Sequence, residues 1–255
     1  MSQREYVARR HEAVASDRFP SNAETGEWIA VLNRYAPTRR PLTVLEIDCG
    51  YGRLLPGLAD AFGGPVFGVE PLERIREAAA EDSAHPAVTY LDGSAARIPL
   101  PDHSCDVVLA FTLWHQIRDA SDAVREILRV LRPGGRVIFR GWFGDRLPEL
   151  PWHVWLQGAR EAEQAHLPQV ADVVGAFADA RSGTGMELLA VERRRQDVAR
   201  SLGDYADELW KRSLPGTRWM DAADVKAGFA TMDAAVAADP TVGPISEEYD
   251  LLILG

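Results

Sequence analysis

The sequence predicts an α/β protein with a doubly wound, mostly parallel sheet of seven strands and a helical cap at its N-terminal end. Short apolar runs alternate along the chain with segments whose apolar residues recur at helical spacing. A glycine-containing turn, Asp48-Cys49-Gly50-Tyr51-Gly52, follows the first apolar run directly. Strands that alternate with helices form parallel sheets with helices on both faces, which gives the predicted architecture.

Each of the seven predicted strands is a short apolar run that follows turn-forming residues or a helix. In chain order they lie at residues 44–47, 66–70, 88–91, 106–111, 136–140, 187–191 and 249–254. The clearest helix is predicted over residues 119–131, where Val124, Ile127, Leu128 and Leu131 follow the i, i+3, i+4, i+7 pattern. The turn Pro133-Gly134-Gly135 then separates this helix from the fifth strand.

The predicted domain organisation has two parts. Residues 1–36 read as two helices that form a cap, and residues 37–255 read as one cofactor-binding domain. Within that domain, residues 141–182 interrupt the alternation of strands and helices and contain three tryptophans among several glycines and prolines. A chain of 255 residues is long enough for one such domain and its cap.

Composition excludes several classes of function. A net charge of −10 argues against a nucleic-acid partner or an anionic membrane, because both are bound through clustered basic residues. The two cysteines, Cys49 and Cys105, favour a reduced protein without a structural disulfide. The first ten residues are polar and no apolar run has the length of a membrane span, so a cytoplasmic location is expected. No histidine and cysteine cluster has metal-ligand spacing, so no metal is expected.

The loop from Glu46 to Gly52 indicates a nucleotide-cofactor site. A strand ends near a carboxylate, and the paired glycines let the backbone approach a ligand at the start of the next helix. A dinucleotide loop would carry a third glycine where Leu55 stands, and this difference opposes an NAD(P)-dependent oxidoreductase.

This loop and three further motifs in the same order resemble the class I S-adenosylmethionine (SAM) dependent methyltransferase superfamily. The motifs lie at residues 68–71, 92–100 and 126–135, and they are most similar to the small-molecule, UbiE-like branch (methyltransferase type 11). The resemblance implies a Rossmann-like fold and SAM as the cofactor. It also implies that Glu46, Gly50 and Gly52 belong to the cofactor loop, with Asp48 where the family has its first glycine.

The resemblance assigns cofactor roles to residues after the second strand. Glu70 would accept hydrogen bonds from the two ribose hydroxyls, since a carboxylate is an acceptor for two donors. The alternative is that Glu70 caps the helix that begins near Pro71. Pro71 and Leu72 are also assigned to the cofactor site, where Leu72 would contribute an apolar contact with adenine.

Three further positions complete the implied cofactor site. Ser94 and Ala95 would meet the adenine edge, and Phe111 would border the methionine end. The carboxylate of Asp48 would strengthen binding if it faces the sulfonium or ammonium of SAM, and would weaken it if it faces the SAM carboxylate. For a unit-charge pair about 4 Å apart near a surface, the effect is roughly 4 kcal/mol.

Methyl transfer from a sulfonium needs no metal, but an oxygen or nitrogen acceptor benefits from a base. His115 follows the fourth strand at the edge where open α/β sheets bind ligands, and is the predicted base. The alternative is that it only anchors its loop. His153 and His166 are second choices. The predicted substrate contacts are tryptophans, which elsewhere serve more often as core residues: Trp28, Trp114, Trp142 and Trp152.

The sequence therefore predicts a SAM-dependent methyltransferase that modifies an oxygen, nitrogen or carbon atom of a small molecule in secondary metabolism. The expected partner is this small molecule, with no nucleic acid or membrane, and the expected state is a monomer or homodimer. The alternative is a protein of the same fold that no longer methylates, with SAM used structurally in another reaction or with a role as a binding partner.

Overall fold

The computed structural model describes residues 22–111, 113–117, 120–178, 185–211, 214 and 216–255. It confirms the α/β class and the seven-stranded sheet. The strands follow one another across the sheet in the order β3-β2-β1-β4-β5-β7-β6. They are β1 (Leu42–Ile47), β2 (Gly63–Val69), β3 (Val88–Leu91), β4 (Cys105–Phe111), β5 (Leu131–Gly141), β6 (Leu188–Ala199) and β7 (Ile245–Leu254).

Helices connect these strands. The described α-helices are α1 (Asn22–Tyr35), α2 (Leu55–Phe62), α3 (Glu73–Asp82), α4 (Ala120–Val130), α5 (Ala159–His166), α6 (Val170–Ala178), α7 (Leu202–Lys211) and α8 (Ala222–Ala238). Short 3-10 helices lie at Trp114–Gln116, Gly144–Arg146, Pro151–Val154 and Gly216–Trp219.

The register of the central strands places their carboxyl ends at one level. Strand β1 pairs in parallel with β2 and with β4, and Ile47 lies opposite Val69 on one side and Ala110 on the other. All seven residues of β4 are buried, as expected for a parallel strand covered on both faces. The loops that follow β1, β2 and β4 therefore meet at one edge of the sheet, where ligands bind in folds of this kind.

Helix α4 and strand β5 show how the local pattern becomes structure. One face of α4 buries four residues: Ala123, Val124, Ile127 and Val130. Of the four residues predicted for this face, Val124 and Ile127 are buried, Leu128 is half-buried and Leu131 already belongs to β5. Strand β5 begins earlier than predicted. It includes Pro133-Gly134-Gly135, and its pairing with β4 shifts register between Cys105 and Val107.

The chain divides into two compact units. Among the described residues, the sheet unit comprises those within 22–141, 171–192 and 251–255, and the second unit comprises those within 142–170 and 193–250. Helix α1, the described part of the predicted cap, belongs to the sheet unit. The other predicted cap helix lies outside the described residues. The division into a cap, a cofactor-binding domain and a segment at 141–182 stays a prediction.

Candidate functional site

The glycine loop after β1 has three residues in the left-handed region. Asp48, Gly50 and Gly52 have φ angles of 60°, 55° and 62°. Glycine adopts such angles without steric cost, and aspartate is among the residues that tolerate them best. A Cβ added at Gly50 would meet no atom within 4 Å, so the loop is open on this side.

The opposite side of the loop is closed by Tyr90, which lies on β3. A Cβ added at Gly52 would lie 2.3 Å from the Tyr90 hydroxyl. That hydroxyl donates to the carbonyl of Ser83 at 3.0 Å, and the Ser83 hydroxyl donates to the carbonyl of Tyr51 at 2.8 Å. The sequence motif predicts the glycine, but the residues that make glycine necessary come from distant strands and helices.

Glu70 lies at the end of β2 and is 0% exposed. One carboxylate oxygen accepts the Leu72 N–H at 2.8 Å, and the other accepts the Gly50 N–H at 3.2 Å. The carboxylate thus joins the residue before α3 to the glycine loop, but it does not cap the helix, because the N-cap residue Leu72 has no side-chain capping hydrogen bond. A bond to ribose requires that the residues covering Glu70 move, and the ribose role stays a prediction.

Two buried carboxyl groups give the loop its electrostatic character. Burial, followed by the negative charge of Asp48, raises the pKa of Glu46 from 4.5 to about 8, against the lowering effect of Arg140. Burial and Asp48 also raise the pKa of Glu70 to about 7, although backbone hydrogen bonds and Arg76 lower it. A cation bound beside these groups would favour their ionised forms.

A cavity of about 310 Å³ opens at the carboxyl ends of the central strands. It brings together four of the predicted cofactor residues, Asp48, Pro71, Ser94 and Ala95. Its other lining residues are Ile47, Ala96, Leu113, Ile117, Asp122 and Ala123. The remaining predicted cofactor residues lie outside this lining: Glu46, Gly50, Gly52, Glu70, Leu72 and Phe111.

His115 belongs to the short helix Trp114–Gln116, which follows β4. Leu113 and Ile117, on either side of this helix, line the cavity, but His115 does not. The indole of Trp114 packs edge-on against Phe139, with ring centroids 5.2 Å apart. The structure therefore places His115 next to the site, and its role as a base stays a prediction.

Trp28, on α1, packs inside the sheet unit. Its ring lies 5.5 Å from that of Phe111, and the Arg140 guanidinium lies 5.3 Å from the indole centroid. Trp28 and Phe111 are both buried. This cluster joins the predicted substrate residue of the cap to the predicted residue at the methionine end of the cofactor.

Trp142 and Trp152 pack against each other in the second unit, with ring centroids 5.4 Å apart. The Trp142 N–H donates to the carbonyl of Glu248 at 2.7 Å. Trp152 is 1% exposed and its N–H donates to Glu163 at 3.2 Å. A contact between Trp152 and a substrate would require the ring to be uncovered, because in this structure it fills the interior of the unit.

The two second-choice histidines have structural partners in the second unit. His153 accepts the Leu150 N–H at one ring nitrogen and lies 2.8 Å from Glu163 through the other. His166 stacks on Trp219, with ring centroids 4.7 Å apart. Both ring nitrogens of His153 are engaged within the fold, so proton transfer to a substrate would first have to break one of these bonds.

Among the described residues, no group of three or more histidine, cysteine or acidic side chains has a geometry that would hold a metal ion. In the same residues, none of the helices combines the length and the apolar character that crossing a bilayer requires.

Comparison with known proteins shows that part of the chain is similar to methyltransferases. Residues 45–139 match the methyltransferase domain family. An uncharacterized methyltransferase of Mycobacterium tuberculosis is 38% identical over 94 residues, which are 37% of this chain and 37% of that protein. A probable S-adenosylmethionine-dependent methyltransferase of Mycolicibacterium smegmatis is 32% identical over 169 residues, 62% of each chain. The chain thus matches less than two thirds of the length of either relative.

The fold extends beyond the matched segment. A solved structure of a candidate methyltransferase from an antibiotic biosynthesis pathway of Anabaena variabilis superposes with a TM-score of 0.68 at 17% identity. The superposition covers 93% of this chain and 98% of that one. The glycine loop, the acid after β2, the cavity and the matched domain all lie in the sheet unit. Residues 45–139 therefore match the methyltransferase domain family, and the chain has the fold of that solved structure.

Proposed function

We propose that the protein transfers the methyl group of SAM to an oxygen, nitrogen or carbon atom of a small organic molecule. The observation that carries this proposal is the cavity at the carboxyl ends of the central strands, which Asp48, Pro71, Ser94 and Ala95 line together. These residues come from the loops after β1, β2 and β3, and the resemblance assigns all four to the cofactor.

The site has properties that fit SAM. A volume of about 310 Å³ lies within the range of small-ligand sites. The open side of Gly50 leaves room for a ligand beside the backbone. Asp48 lines the cavity, and after burial its negative charge is the second cause of the raised pKa values of Glu46 and Glu70. Ser94 and Ala95 would hold the adenine edge, and Asp48 would face the charged methionine end.

SAM supplies an activated methyl group on a sulfonium. The reaction then needs the acceptor atom held in line with the methyl–sulfur bond, so positioning provides most of the rate. The acceptor forms the new bond to the methyl carbon as the carbon–sulfur bond breaks. Where the acceptor carries a proton, His115, next to the cavity lining, would remove it.

The substrate class, setting and assembly belong to the same proposal. Trp114 lies in the helix that also carries His115, which fits an apolar or aromatic small molecule. The acidic chain argues against a nucleic acid or an anionic membrane as partner. A cytoplasmic location, a role in secondary metabolism and a monomeric or homodimeric state complete the expectation.

A second candidate function rests on Asp48. The family has glycine at this position, and here an aspartate adopts a φ of 60° within the cavity lining. A protein of this fold that uses SAM structurally in another reaction, or that serves as a partner of an enzyme, would tolerate such a change. If Asp48→Gly gains both SAM affinity and methyl transfer, this second function is favoured. If the variant loses both, the methyltransferase proposal is favoured.

The first experiment is calorimetric titration with SAM, followed by transfer of labelled methyl from SAM to a panel of small aromatic hydroxyl and amine compounds. The proposal predicts binding at micromolar to millimolar cofactor, and absence of heat at millimolar SAM would refute it. His115→Asn is expected to lower the rate with a proton-bearing acceptor while SAM affinity stays the same. His103→Asn, which changes an exposed histidine outside the cavity lining, serves as the matched control.

A further inference from the structure

The segment that follows β3 forms a tight turn on one side of the cavity. The Ser94 N–H donates to the Arg97 carbonyl at 3.1 Å, and the Arg97 N–H donates back to the Ser94 carbonyl at 3.0 Å. Residues 94–96 line the cavity from this turn. With Ile98, which follows it, this segment (the 94–98 turn) contains only five residues, so its position must come from contacts outside it.

Those contacts come from α4, which also lines the cavity. Asp122 and Ala123, in the first turn of this helix, are lining residues. Glu126 lies four residues after Asp122, and Arg129 lies three residues after Glu126, so the three side chains share one face of the helix. The same helix face that borders the cavity therefore continues toward the 94–98 turn.

Glu126 and Arg129 form several hydrogen bonds with the backbone at the end of this turn and just beyond it. Glu126 accepts the Ile98 N–H at 2.9 Å, and Arg129 donates to the Ile98 carbonyl at 2.9 Å. Arg129 also donates to the Leu100 carbonyl at 2.7 Å and to the Asp102 carboxylate at 2.8 Å. Both amide groups of the backbone around Ile98 are thus fixed to α4.

The two side chains also fix each other. Arg129 donates to both oxygens of Glu126, at 2.7 and 2.8 Å. A planar guanidinium matches a carboxylate in this two-point geometry, which a lysine cannot reproduce. The hydrogen bonds from Arg129 hold the pKa of Glu126 below its usual range, so the pair stays charged at neutral pH.

We propose that Glu126 and Arg129 are positioning residues of the cofactor site, which hold the 94–98 turn against α4 and so set the width of its adenine side. This rests on the proposed function, since it takes the cavity as the SAM site. It also gives a role to the motif at residues 126–135, to which the sequence assigned only the ending of a helix and the opening of a strand. Neither side chain lines the cavity, so both act through the turn.

The test uses Arg129→Lys in the full chain, with SAM and 5′-methylthioadenosine as separate ligands in calorimetry well below the melting temperature. Loss of the forked hydrogen bonds should weaken the binding of both ligands by about tenfold or more. Equal loss for both is expected because 5′-methylthioadenosine retains the adenine and lacks the amino-acid end. Glu126→Gln keeps an acceptor for the Ile98 N–H and should show a smaller loss, which also guards against a variant that does not fold.

The matched control is Arg193→Lys. Arg193 donates to both oxygens of Asp250, at 3.1 and 3.0 Å, within the second unit. The Arg193→Lys variant therefore loses the same two-point hydrogen bonding to a carboxylate as Arg129→Lys, and it leaves the 94–98 turn unaffected. Its SAM affinity should equal that of the unmodified protein.

A readout without cofactor separates the two proposals. Amide hydrogen exchange in the unliganded protein should speed up at Ser94, Arg97 and Ile98 in Arg129→Lys, while the amides of β1 and β4 keep their protection. Failure of the unmodified protein to bind SAM would refute the proposed function. Normal binding of SAM and 5′-methylthioadenosine by a folded Arg129→Lys variant, or unchanged exchange at the turn, would refute the positioning role alone.

Discussion

Replacement of Glu70 by glutamine should change the stability of the protein in a manner that depends on pH. Burial and the charge of Asp48 raise the pKa of Glu70 from 4.5 to about 7 on folding. The folded protein therefore binds this proton more tightly than the unfolded chain does. The resulting stability is fully present below pH 4.5 and is lost as the pH rises through 7.

The magnitude follows from the size of the shift. Each unit of pKa corresponds to about 1.4 kcal/mol, so ionisation of Glu70 lowers the free energy of unfolding by roughly 3 kcal/mol between pH 4.5 and 8. Glutamine is neutral throughout this range. At pH 5, Glu70→Gln should be less stable to unfolding than the unmodified protein by about 1 kcal/mol, because it loses one hydrogen bond. At pH 8 it should be more stable by roughly 2 kcal/mol, or about 4–8 °C in melting temperature for a chain of this size.

The assay is thermal unfolding from pH 5 to pH 8, with Glu77→Gln on helix α3 as an exposed control that removes the same charge. SAM affinity should move in the opposite direction. Loss of a charged acceptor in contact with the glycine loop should weaken binding about tenfold or more at pH 8. A Glu70→Gln curve that runs parallel to that of the unmodified protein would refute the buried, pKa-shifted state of this carboxyl.

Three further outcomes are expected. Because the pKa of Glu46 is raised to about 8, Glu46→Gln should remove part of the stability loss between pH 5 and 8, and an unchanged slope would contradict this. Asp48→Gly relieves a φ of 60° and the repulsion of both buried carboxyls, so its melting temperature should rise more at pH 8 than at pH 5. Gly52→Ala should unfold at a lower temperature than Gly50→Ala, because only the former meets Tyr90; equal melting temperatures would show that this contact is unimportant.

The sequence predicts the parts of the fold that depend on local pattern. Strand β3 lies at Val88–Leu91 as predicted, and β4 and α4 begin within one residue of their predicted starts. Apolar runs and helical spacing are sufficient here, because burial of these segments follows from their own residues. The glycine loop is similarly local, since positive φ angles require glycine or a tolerant residue.

The end of strand β6 could not be predicted from the local pattern. The strand was predicted at residues 187–191 and continues to Ala199. The additional residues include Arg193, Arg194 and Arg195, a charged run that does not resemble a strand. Arg193 is accommodated by Asp250, which lies more than fifty residues away in the chain and in the same unit. A charged edge strand becomes recognisable only when its partners are known.

Some residues around the cavity could not be predicted from the sequence for the same reason: their partners lie elsewhere in the chain. Four such residues make hydrogen bonds to backbone atoms around the cavity: Tyr90, Ser83, Glu126 and Arg129. A backbone partner leaves no signature in the sequence. The motif at residues 126–135 therefore includes Glu126 and Arg129 without showing what they hold, and no motif identifies the role of Tyr90 or Ser83.

The charge of the site is also a property of the folded chain alone. Glu46 and Asp48 are two residues apart, and Glu70 follows on the next strand. In the unfolded chain Glu46 and Glu70 would titrate near their ordinary pKa values. Folding buries both beside Asp48, so the ionisation of either carboxyl is opposed first by burial and then by the negative charge of Asp48. A cationic ligand would offset that opposition, so the aspartate that stands where the family has glycine contributes to the same electrostatic arrangement as the two buried acids.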